Sequence, residues 1–255
     1  MIIKTISTVL LNEPVAENIY RIEFSSPEIS AVSKPGQFIN VKVSENFDPL
    51  LRRPFSIYNI IDDRIQIIFN VVGKATKILS NIKVGEKIDI IGPLGNGFNV
   101  DGDFDTALIV AGGLGIAPFP FLTKILKEKS KNIISFVGAK TKSQLVLDGF
   151  VNVNIATDDG SYGYKGTVVE LFKSNINDDI VNYSTSKVFA CGPIPMLKAL
   201  IDLCERLNLN CEVSVETPMA CGTGLCQGCA VKTKDGKYKL ACKDGPIFNS
   251  KDILL

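Results

Sequence analysis

Four of the seven cysteines in this 255-residue sequence lie near its C-terminus: Cys221, Cys226, Cys229 and Cys242. The intervals between them, x4, x2 and x12, give the ligand spacing of a plant-type 2Fe–2S cluster, in which four thiolates hold two irons. Gly222, Gly224 and Gly228 lie between the first three cysteines, and glycine lets a short loop wrap closely around a cluster and aim its amides at the sulfurs. We therefore predict an iron–sulfur centre with these four cysteines as its metal ligands.

Two other uses of clustered cysteines stay open. Structural zinc sites usually have two separate Cys-x-x-Cys pairs, and here only Cys226 and Cys229 form such a pair. Disulfides need an oxidising compartment, and the N-terminal run 1–11 lacks the small-residue cleavage site of a signal peptide. We expect a cytoplasmic protein, which favours metal ligation over disulfides.

The overall composition excludes several other functions. The sequence contains no histidine, so His-ligated metals and histidine-based acid–base catalysis are ruled out. A net charge of +1 gives no electrostatic attraction to nucleic acids or to an anionic membrane. The longest apolar stretch, 107–122, contains three glycines and two prolines, which argues against a membrane span.

Residues 1–100 have the pattern of short strands separated by turns. Alternating apolar and polar residues predict strands at 15–24, 37–43, 64–72 and 86–91, and a short helix is predicted at 75–80. Such a series with Pro and Gly punctuation indicates an antiparallel β-barrel.

Two stretches of this half are weak phosphate signals. Residues 51–57 place arginines beside a proline and a serine, which suits a planar guanidinium aimed at a pyrophosphate. Residues 73–76 open a helix whose first amides suit an anion. The alternative for Arg52 and Arg53 is that both are solvated surface charges.

Residues 101–212 have the pattern of a nucleotide-binding α/β domain. A continuous apolar run at 107–111 predicts a buried parallel strand, and a glycine-rich loop at 112–118 leads into a helix at 119–129. Further strands are predicted at 132–138, 151–157 and 187–193, with a helix at 195–206. This alternation predicts a doubly wound parallel sheet. The loop is also compatible with a purely structural tight turn, and nothing after 132–138 decides between NAD and NADP.

Several motifs resemble those of the ferredoxin-reductase superfamily. The run Arg53-Pro54-Phe55-Ser56 is similar to its Arg-Pro-x-Ser motif, whose arginine meets the FAD pyrophosphate and whose serine approaches the flavin. Residues 73–76 resemble its second phosphate loop, except that Ala75 replaces a glycine. Residues 92–98 resemble the segment that ends the barrel, and 112–118, 157–160 and 191–193 resemble the pyridine-nucleotide half. The resemblance implies FAD and NAD(H) as cofactors.

Together with the cysteines, the whole chain resembles the electron-transfer subunit of class 1B dihydroorotate dehydrogenase, whose cluster-flanking segments are similar to 214–221 and 241–248. A flavin is needed between the other two centres because nicotinamide exchanges two electrons at once and the cluster only one. The resemblance implies electron flow from the FMN of a dihydroorotate-oxidising catalytic subunit through the 2Fe–2S cluster and FAD to NAD+. It also implies a heterotetramer of two subunits of each kind and a role in pyrimidine biosynthesis.

Two other functions remain as alternatives. One is the small subunit of a sulfide dehydrogenase or of a ferredoxin:NADP oxidoreductase, but similar members of those families carry an Asp at the position of Cys221. The other belongs to a different class, a zinc- or redox-binding docking module without flavin.

The predicted organisation is therefore a flavin-binding barrel (1–100), a nucleotide-binding α/β domain (101–212) and a small cluster domain (213–255). No catalytic side chain is predicted. The candidate flavin residues are Arg53, Pro54, Phe55, Ser56, Asn70, Val71, Val72, Gly73, Ala75 and Thr76. The candidate nucleotide residues are Gly112, Gly113, Gly115, Pro118, Cys191 and Gly192. By resemblance Glu216 lies near the flavin or the nicotinamide, and a solvated charge is the alternative.

Overall fold

The computed structural model of the chain describes residues 1–176 and 182–255. Residues 1–100, all described, form a curled antiparallel sheet with strand order β4-β3-β7-β1-β2-β6-β5. Its elements are β1 (Ile3–Ala16), β2 (Ile19–Ser25), α1 (Pro27–Ser30), β3 (Phe38–Lys42), β4 (Arg53–Ser56), β5 (Asn59–Ile61), β6 (Arg64–Asn70), α2 (Lys74–Ser80) and β7 (Lys87–Leu94). The predicted antiparallel β architecture is confirmed.

The sheet curls because β1 is long and irregular. Its pairing with β2 shifts register between Val9 and Leu11 and again between Pro14 and Ala16, and such bulges bend and twist a strand. The curl brings the two ends of the sheet together, so that the rings of Phe55 on β4 and Phe69 on β6 lie 5.6 Å apart. The interior is filled mainly by isoleucine, valine and phenylalanine side chains from every second strand position.

One predicted strand of this half was wrong in its extent. The structure divides the expected strand at 15–24, because the chain turns back between β1 and β2. Asn18 takes a φ of 58° in this turn, a left-handed conformation that asparagine tolerates better than most residues. The result is a tight hairpin where the pattern alone indicated one strand.

The second half is a mainly parallel sheet with helices on both faces, as predicted. Its strands are β8 (Thr106–Gly112), β9 (Asn132–Ala139), β10 (Val153–Thr157), β11 (Tyr164–Lys165), β12 (Ser186–Cys191) and β13 (Asn210–Ser214). Its helices are α3 (Phe119–Glu128), α4 (Val168–Asn175) and α5 (Ile194–Arg206). Strand β8 lies at the centre and is buried along 107–112, which explains its unbroken apolar sequence.

Local sequence explains how these helices begin and which face they bury. Thr167 and Glu170 form a capping box at the start of α4, in which the Glu170 amide donates to the Thr167 hydroxyl (3.2 Å) and the Thr167 amide donates to the Glu170 carboxylate (2.8 Å). Helix α5 buries Leu197, Leu200 and Cys204, which recur at the helical spacing of three and four residues.

The C-terminal segment is attached to the α/β sheet. A two-stranded hairpin, β14 (Ala230–Lys232) and β15 (Tyr238–Leu240), precedes β16 (Ile247–Asn249), which pairs antiparallel with β13. Two of the predicted cluster ligands, Cys229 and Cys242, belong to the same hydrophobic core as strand β12 and helix α5. The predicted boundary at residue 212 falls inside β13, so the cluster segment and the sheet share one core.

Direct contacts also hold the barrel against the α/β half. Arg21 on β2 donates to the Asp148 carboxylate (2.8 Å), and the buried Tyr58 hydroxyl donates to the Asp148 carbonyl (3.1 Å). Burial, and then the nearby Asp148 carboxylate, raise the pKa of Tyr58, so this hydroxyl stays a donor at neutral pH. Across residues 1–176 and 182–255, no helix is long and apolar enough to cross a membrane.

Candidate functional site

A cavity of about 480 Å³ lies between the barrel and the α/β half. Its barrel wall contains most of the residues predicted to bind flavin: Arg53, Pro54, Phe55, Ser56, Asn70, Val72 and Thr76. The opposite wall contains residues that the sequence analysis did not select: Leu114, Ala117, Ser214, Val215, Thr217 and Met219, together with the predicted Glu216. A cavity of this size, with apolar walls and a few convergent polar groups, suits a planar cofactor ring.

The two neighbouring arginines have different environments. Arg52 donates to the carboxylate and the carbonyl of Asp89 on β7 (2.7 and 3.1 Å), so it ties β4 to the barrel. Arg53 lines the cavity, and its hydrogen bonds to described residues go to the carbonyls of Leu51 and Arg52 (2.6 and 3.3 Å). Among the residues that the structure describes, no carboxylate lies within ion-pair distance of Arg53, which leaves its guanidinium available for an anion.

The turn into α2 forms one corner of the same cavity. The Thr76 hydroxyl accepts the amides of Val72 and Gly73 (3.0 and 3.1 Å), which fixes the start of the helix. Gly73 is extended and has open space around it, whereas Ala75 is buried away from the cavity wall. Val71 lies between the wall residues of β6 and this turn and packs against the barrel core.

Two polar side chains on the opposite wall match a polar ligand. The Thr217 hydroxyl is buried without a hydrogen-bond partner among the described residues, and buried hydroxyls are rarely left unpaired. Glu216 reaches solvent at the rim of the cavity, but the protein on its other sides desolvates the carboxylate and raises its pKa. Both groups fit the polar edge of a flavin.

A second cavity, of about 470 Å³, lies at the carboxyl ends of β8, β9 and β10 and beside the start of α5. This is where doubly wound sheets bind nucleotides. Of the predicted residues, Gly112 and Gly113 line it, and Gly113 takes a φ of +56° with open space around it, so that a ligand can approach the backbone closely. Lys140 and Asp158 also line this cavity, each just after the end of a strand.

The other predicted nucleotide residues do not line this cavity but pack next to its wall. Gly115 packs against the Cys191 carbonyl, and a Cβ at that position would collide with it. Pro118 precedes α3 and ends the glycine loop. The Cys191 thiol is buried in the core; burial, and then the Glu216 charge, raise its pKa. Gly192 packs against Met196, which itself lines the cavity.

Chain segments at the cavity walls place the candidate centres next to one another. Asn70 and Leu114 line both cavities, so the candidate flavin and nucleotide sites share a wall. Met219 lines the flavin cavity and lies two residues before Cys221, a separation of at most ~7 Å along an extended chain. Met219 was overlooked because nothing local distinguishes it; its position before the first cysteine was the only available signal.

The four cysteines surround a loop whose amides point at sulfur. The Cys221 sulfur accepts the amides of Thr223 and Cys226 (both 3.4 Å), and these bonds lower the pKa of Cys221 to about 6. Gly224 donates its amide to the Cys242 sulfur at 3.1 Å. Gly222 and Gly224 have φ angles of +69° and +85°, which glycine adopts without strain. The predicted role of these glycines in shaping the loop therefore agrees with the geometry.

Two of the four sulfurs lie close together. The Cys229 and Cys242 sulfurs lie 3.2 Å apart, and burial, and then the Cys229 thiol, raise the pKa of Cys242 to about 12. Two thiolates at this distance require a cation between them. Within the part of the chain that the structure describes, no three His, Cys, Asp or Glu side chains are arranged to hold a metal ion. The contact between Cys229 and Cys242 is compatible with a shared metal, and the spacing of the four cysteines favours a binuclear iron–sulfur cluster over zinc.

Comparisons with known proteins agree with this geometry. A family model described as the iron–sulfur cluster binding domain of dihydroorotate dehydrogenase B matches residues 216–254. The sequence is 39% identical over 254 residues to the protein named dihydroorotate dehydrogenase B (NAD(+)), electron transfer subunit, of Clostridium acetobutylicum, covering 98% of this chain and 97% of that protein. The protein of the same name from Desulforamulus reducens is 39% identical over 250 residues, covering 94% of each chain.

Solved structures show the same fold. The structure of an NADH-dependent reduced ferredoxin-NADP oxidoreductase, described in connection with flavin-based electron bifurcation, superposes with a TM-score of 0.87 and 30% identity, covering 97% of this chain and 89% of that one. A ferredoxin NADP+ reductase from Neisseria gonorrhoeae with bound FAD and NADP has a TM-score of 0.69 and 17% identity, covering 80% and 91%. The second similarity shows the fold alone.

Proposed function

The chain belongs to the family of dihydroorotate dehydrogenase B (NAD(+)) electron transfer subunits, and we propose that it carries electrons from a dihydroorotate-oxidising partner to NAD+. The proposed cofactors are a 2Fe–2S cluster, FAD and NAD(H). When bound, the flavin exchanges both one and two electrons, which is the chemistry needed between a one-electron cluster and a hydride carrier.

The observation that carries the proposal is that the three candidate sites are neighbours. Met219 joins the wall of the first cavity to the first cluster cysteine, and Asn70 and Leu114 belong to both cavities. Electron transfer needs such adjacency, whereas a docking module that only holds zinc does not. The buried Thr217 hydroxyl, which has no partner among the described residues, supports a polar ligand in the first cavity.

We assign each part of the chain a separate task. Cys221, Cys226, Cys229 and Cys242 hold the cluster, and the amides of their loop stabilise its negative sulfurs. Arg53 binds the flavin pyrophosphate, with Ser56, Thr76 and Thr217 along the cavity wall. The turn at Gly112 and Gly113 accepts the nucleotide phosphates at the carboxyl end of β8. No side chain has to transfer a proton to substrate, in keeping with a sequence that lacks histidine.

The partner of this chain is proposed from the family. We propose an FMN-containing catalytic subunit, two copies of each chain in the complex, and a role in pyrimidine biosynthesis in the cytoplasm. The cluster loop is where such a partner delivers electrons, since Cys226 and Leu225 are exposed there.

The test is reconstitution of the complete electron path. The chain, purified anaerobically with its cofactors, is mixed with the FMN-containing subunit of its own organism, and NADH formation is followed after dihydroorotate addition. We expect dihydroorotate-dependent reduction of NAD+ only when both chains are present. A chain that carries zinc and no flavin would refute the proposal.

A second candidate is favoured by one observation, the TM-score of 0.87 to an NADH-dependent reduced ferredoxin-NADP oxidoreductase. The same preparation is therefore assayed with reduced ferredoxin in place of dihydroorotate and its partner. Electron transfer to pyridine nucleotide from reduced ferredoxin, without activity from dihydroorotate, would favour that function. The presence of a cysteine at position 221 argues for the dihydroorotate enzyme.

A further inference from the structure

One side chain of the barrel contacts the loop that carries the first cluster cysteine. Asn40 on β3 is 1% exposed, and its amide nitrogen donates to the Cys221 carbonyl in a long hydrogen bond of 3.4 Å. The next residue, Gly222, lies so close to this amide that a Cβ would collide with it. The φ of +69° at Gly222 and the missing side chain together allow the loop to rest on Asn40.

The same side chain belongs to the face of the sheet that forms the flavin cavity. Alternate residues of β3 point to opposite faces: Ile39 and Val41 fill the barrel interior, whereas Phe38 points outward and lines the cavity. Asn40 shares the face of Phe38 and pairs across the strands with Pro54, another cavity residue. Asn40 therefore stands between the flavin wall and the first cluster ligand.

The local energetics do not favour an asparagine for the stability of the barrel. The side-chain oxygen of Asn40 is buried without a partner among the described residues, and such an unpaired oxygen destabilises a fold. A leucine of similar shape would avoid this cost. The role of the polar amide at this position is therefore its hydrogen bond to the Cys221 carbonyl in the cluster loop.

Resting on the proposed function, we propose that Asn40 is a positioning residue that sets the place and the reduction potential of the cluster. Its N–H group turns the positive end of a dipole toward the loop of Cys221. A positive dipole stabilises the more negative, reduced form of the cluster, and therefore raises its potential. Asn40→Leu removes the dipole, and Asn40→Asp replaces it with a carboxylate that disfavours the reduced form further.

The experiment compares the wild-type chain, Asn40→Leu and Asn40→Asp, each purified anaerobically with its own cofactors. Asn12 provides a matched control, because it is another asparagine of the barrel whose side-chain oxygen is buried without a partner among the described residues. Its side-chain amide donates to the carbonyls of Leu79, Ser80 and Ile82 at the end of α2 and not to the cluster loop. Measurements are iron and FAD per chain, the electron paramagnetic resonance spectrum of the reduced cluster, its midpoint potential and that of FAD, and the thermal unfolding temperature.

We expect the cluster potential to fall in the order wild type, Asn40→Leu, Asn40→Asp, with an altered cluster spectrum and unchanged FAD content. Asn40→Leu should unfold at the wild-type temperature or above it, which a purely structural role would not allow. Asn12→Leu should leave the cluster potential at the wild-type value. Wild-type potentials and spectra in both Asn40 variants, or loss of FAD from either, would overturn the inference. A wild-type chain without iron or FAD would refute the proposed function itself.

Discussion

The two adjacent arginines offer a sharp test, because the structure predicts opposite effects for the same substitution at neighbouring positions. Arg53→Met should weaken FAD binding and leave the stability of the chain nearly unchanged. Arg52→Met should lower the stability and leave FAD affinity nearly unchanged in the molecules that remain folded. Methionine keeps much of the aliphatic length of arginine, so each change mainly removes a guanidinium.

The magnitude for Arg52 comes from its burial with Asp89. The side chains of this pair are 18% and 11% exposed, and the pair is joined by two hydrogen bonds, of 2.7 and 3.1 Å. Breaking a buried ion pair by removing one partner typically costs about 3–5 kcal/mol. Lys4 lies 3.8 Å from the same carboxylate and compensates in part. We therefore expect Arg52→Met to lower the free energy of unfolding by about 2–4 kcal/mol.

The magnitude for Arg53 comes from the contact it is free to make. Within the part of the chain that the structure describes, its hydrogen bonds go to the neighbouring carbonyls of Leu51 and Arg52, so their loss changes stability by less than ~1 kcal/mol. A hydrogen bond to a charged group contributes about 1.5–3 kcal/mol, so its removal corresponds to a rise of about 10- to 150-fold in the Kd for FAD.

The assay has two parts. Flavin-free protein is titrated with FAD, with flavin fluorescence as the signal and the ionic strength held constant because salt screens the contact. Urea unfolding of the same flavin-free samples gives the free energy of unfolding. Wild-type FAD affinity in Arg53→Met would refute the assignment of this arginine to the pyrophosphate. Equal loss of affinity in both variants, without loss of stability in Arg52→Met, would show that the two environments were misread.

Three further predictions concern the cluster loop and the cavity rim. Cys226→Ser should abolish the visible spectrum of the cluster and its iron while FAD remains bound. Cys204→Ala changes a buried thiol of α5 that is not one of the four predicted ligands, and it should keep both cofactors. Loss of FAD from Cys226→Ser would contradict the separation of the two sites. Gly222→Ala should reduce the iron content per chain much more than Gly236→Ala. Both glycines have a positive φ, but a Cβ at Gly222 would collide with the Asn40 side chain, whereas a Cβ at Gly236 would meet open space. Equal iron contents in the two variants would argue against this collision. Glu216→Gln should stabilise the flavin-free chain at pH 8 and have no effect on its stability well below the ordinary glutamate pKa of ~4.3. The reason is that desolvation raises the pKa of Glu216, so the native state is destabilised only at pH values where the carboxylate is charged. A difference in unfolding temperature between variant and wild type that does not change with pH would contradict this.

Sites whose residues lie close together in the sequence could be predicted from it. The four cysteines occupy one loop and the turn that follows β15, so their spacing already encodes which thiolates can reach a common cluster. The glycine loop after β8 was likewise visible, because a buried strand, a glycine turn and a helix form one continuous segment. For the same reason the two halves of the fold followed from the periods of their apolar residues.

Residues that act across the fold were not predictable in this way. Arg52 and Arg53 look alike in sequence, and only the position of Asp89 on β7 separates them. Asn40 lies 181 positions from Cys221, and no local pattern indicates their contact. Cys191 belongs to a motif, but the packing of β8, β12 and β13 buries its thiol.

The sequence by itself determined the chemistry of this protein: four thiolates at cluster spacing, and two segments suited to phosphates. Ligand spacing and strand periodicity are local properties, and a few adjacent residues suffice to express them. Only the tertiary structure decided that Met219 joins the flavin cavity to the first cysteine and that Asn70 and Leu114 serve both cavities. Such adjacency depends on how the sheets curl and pack, since it brings together chain segments that are far apart in sequence.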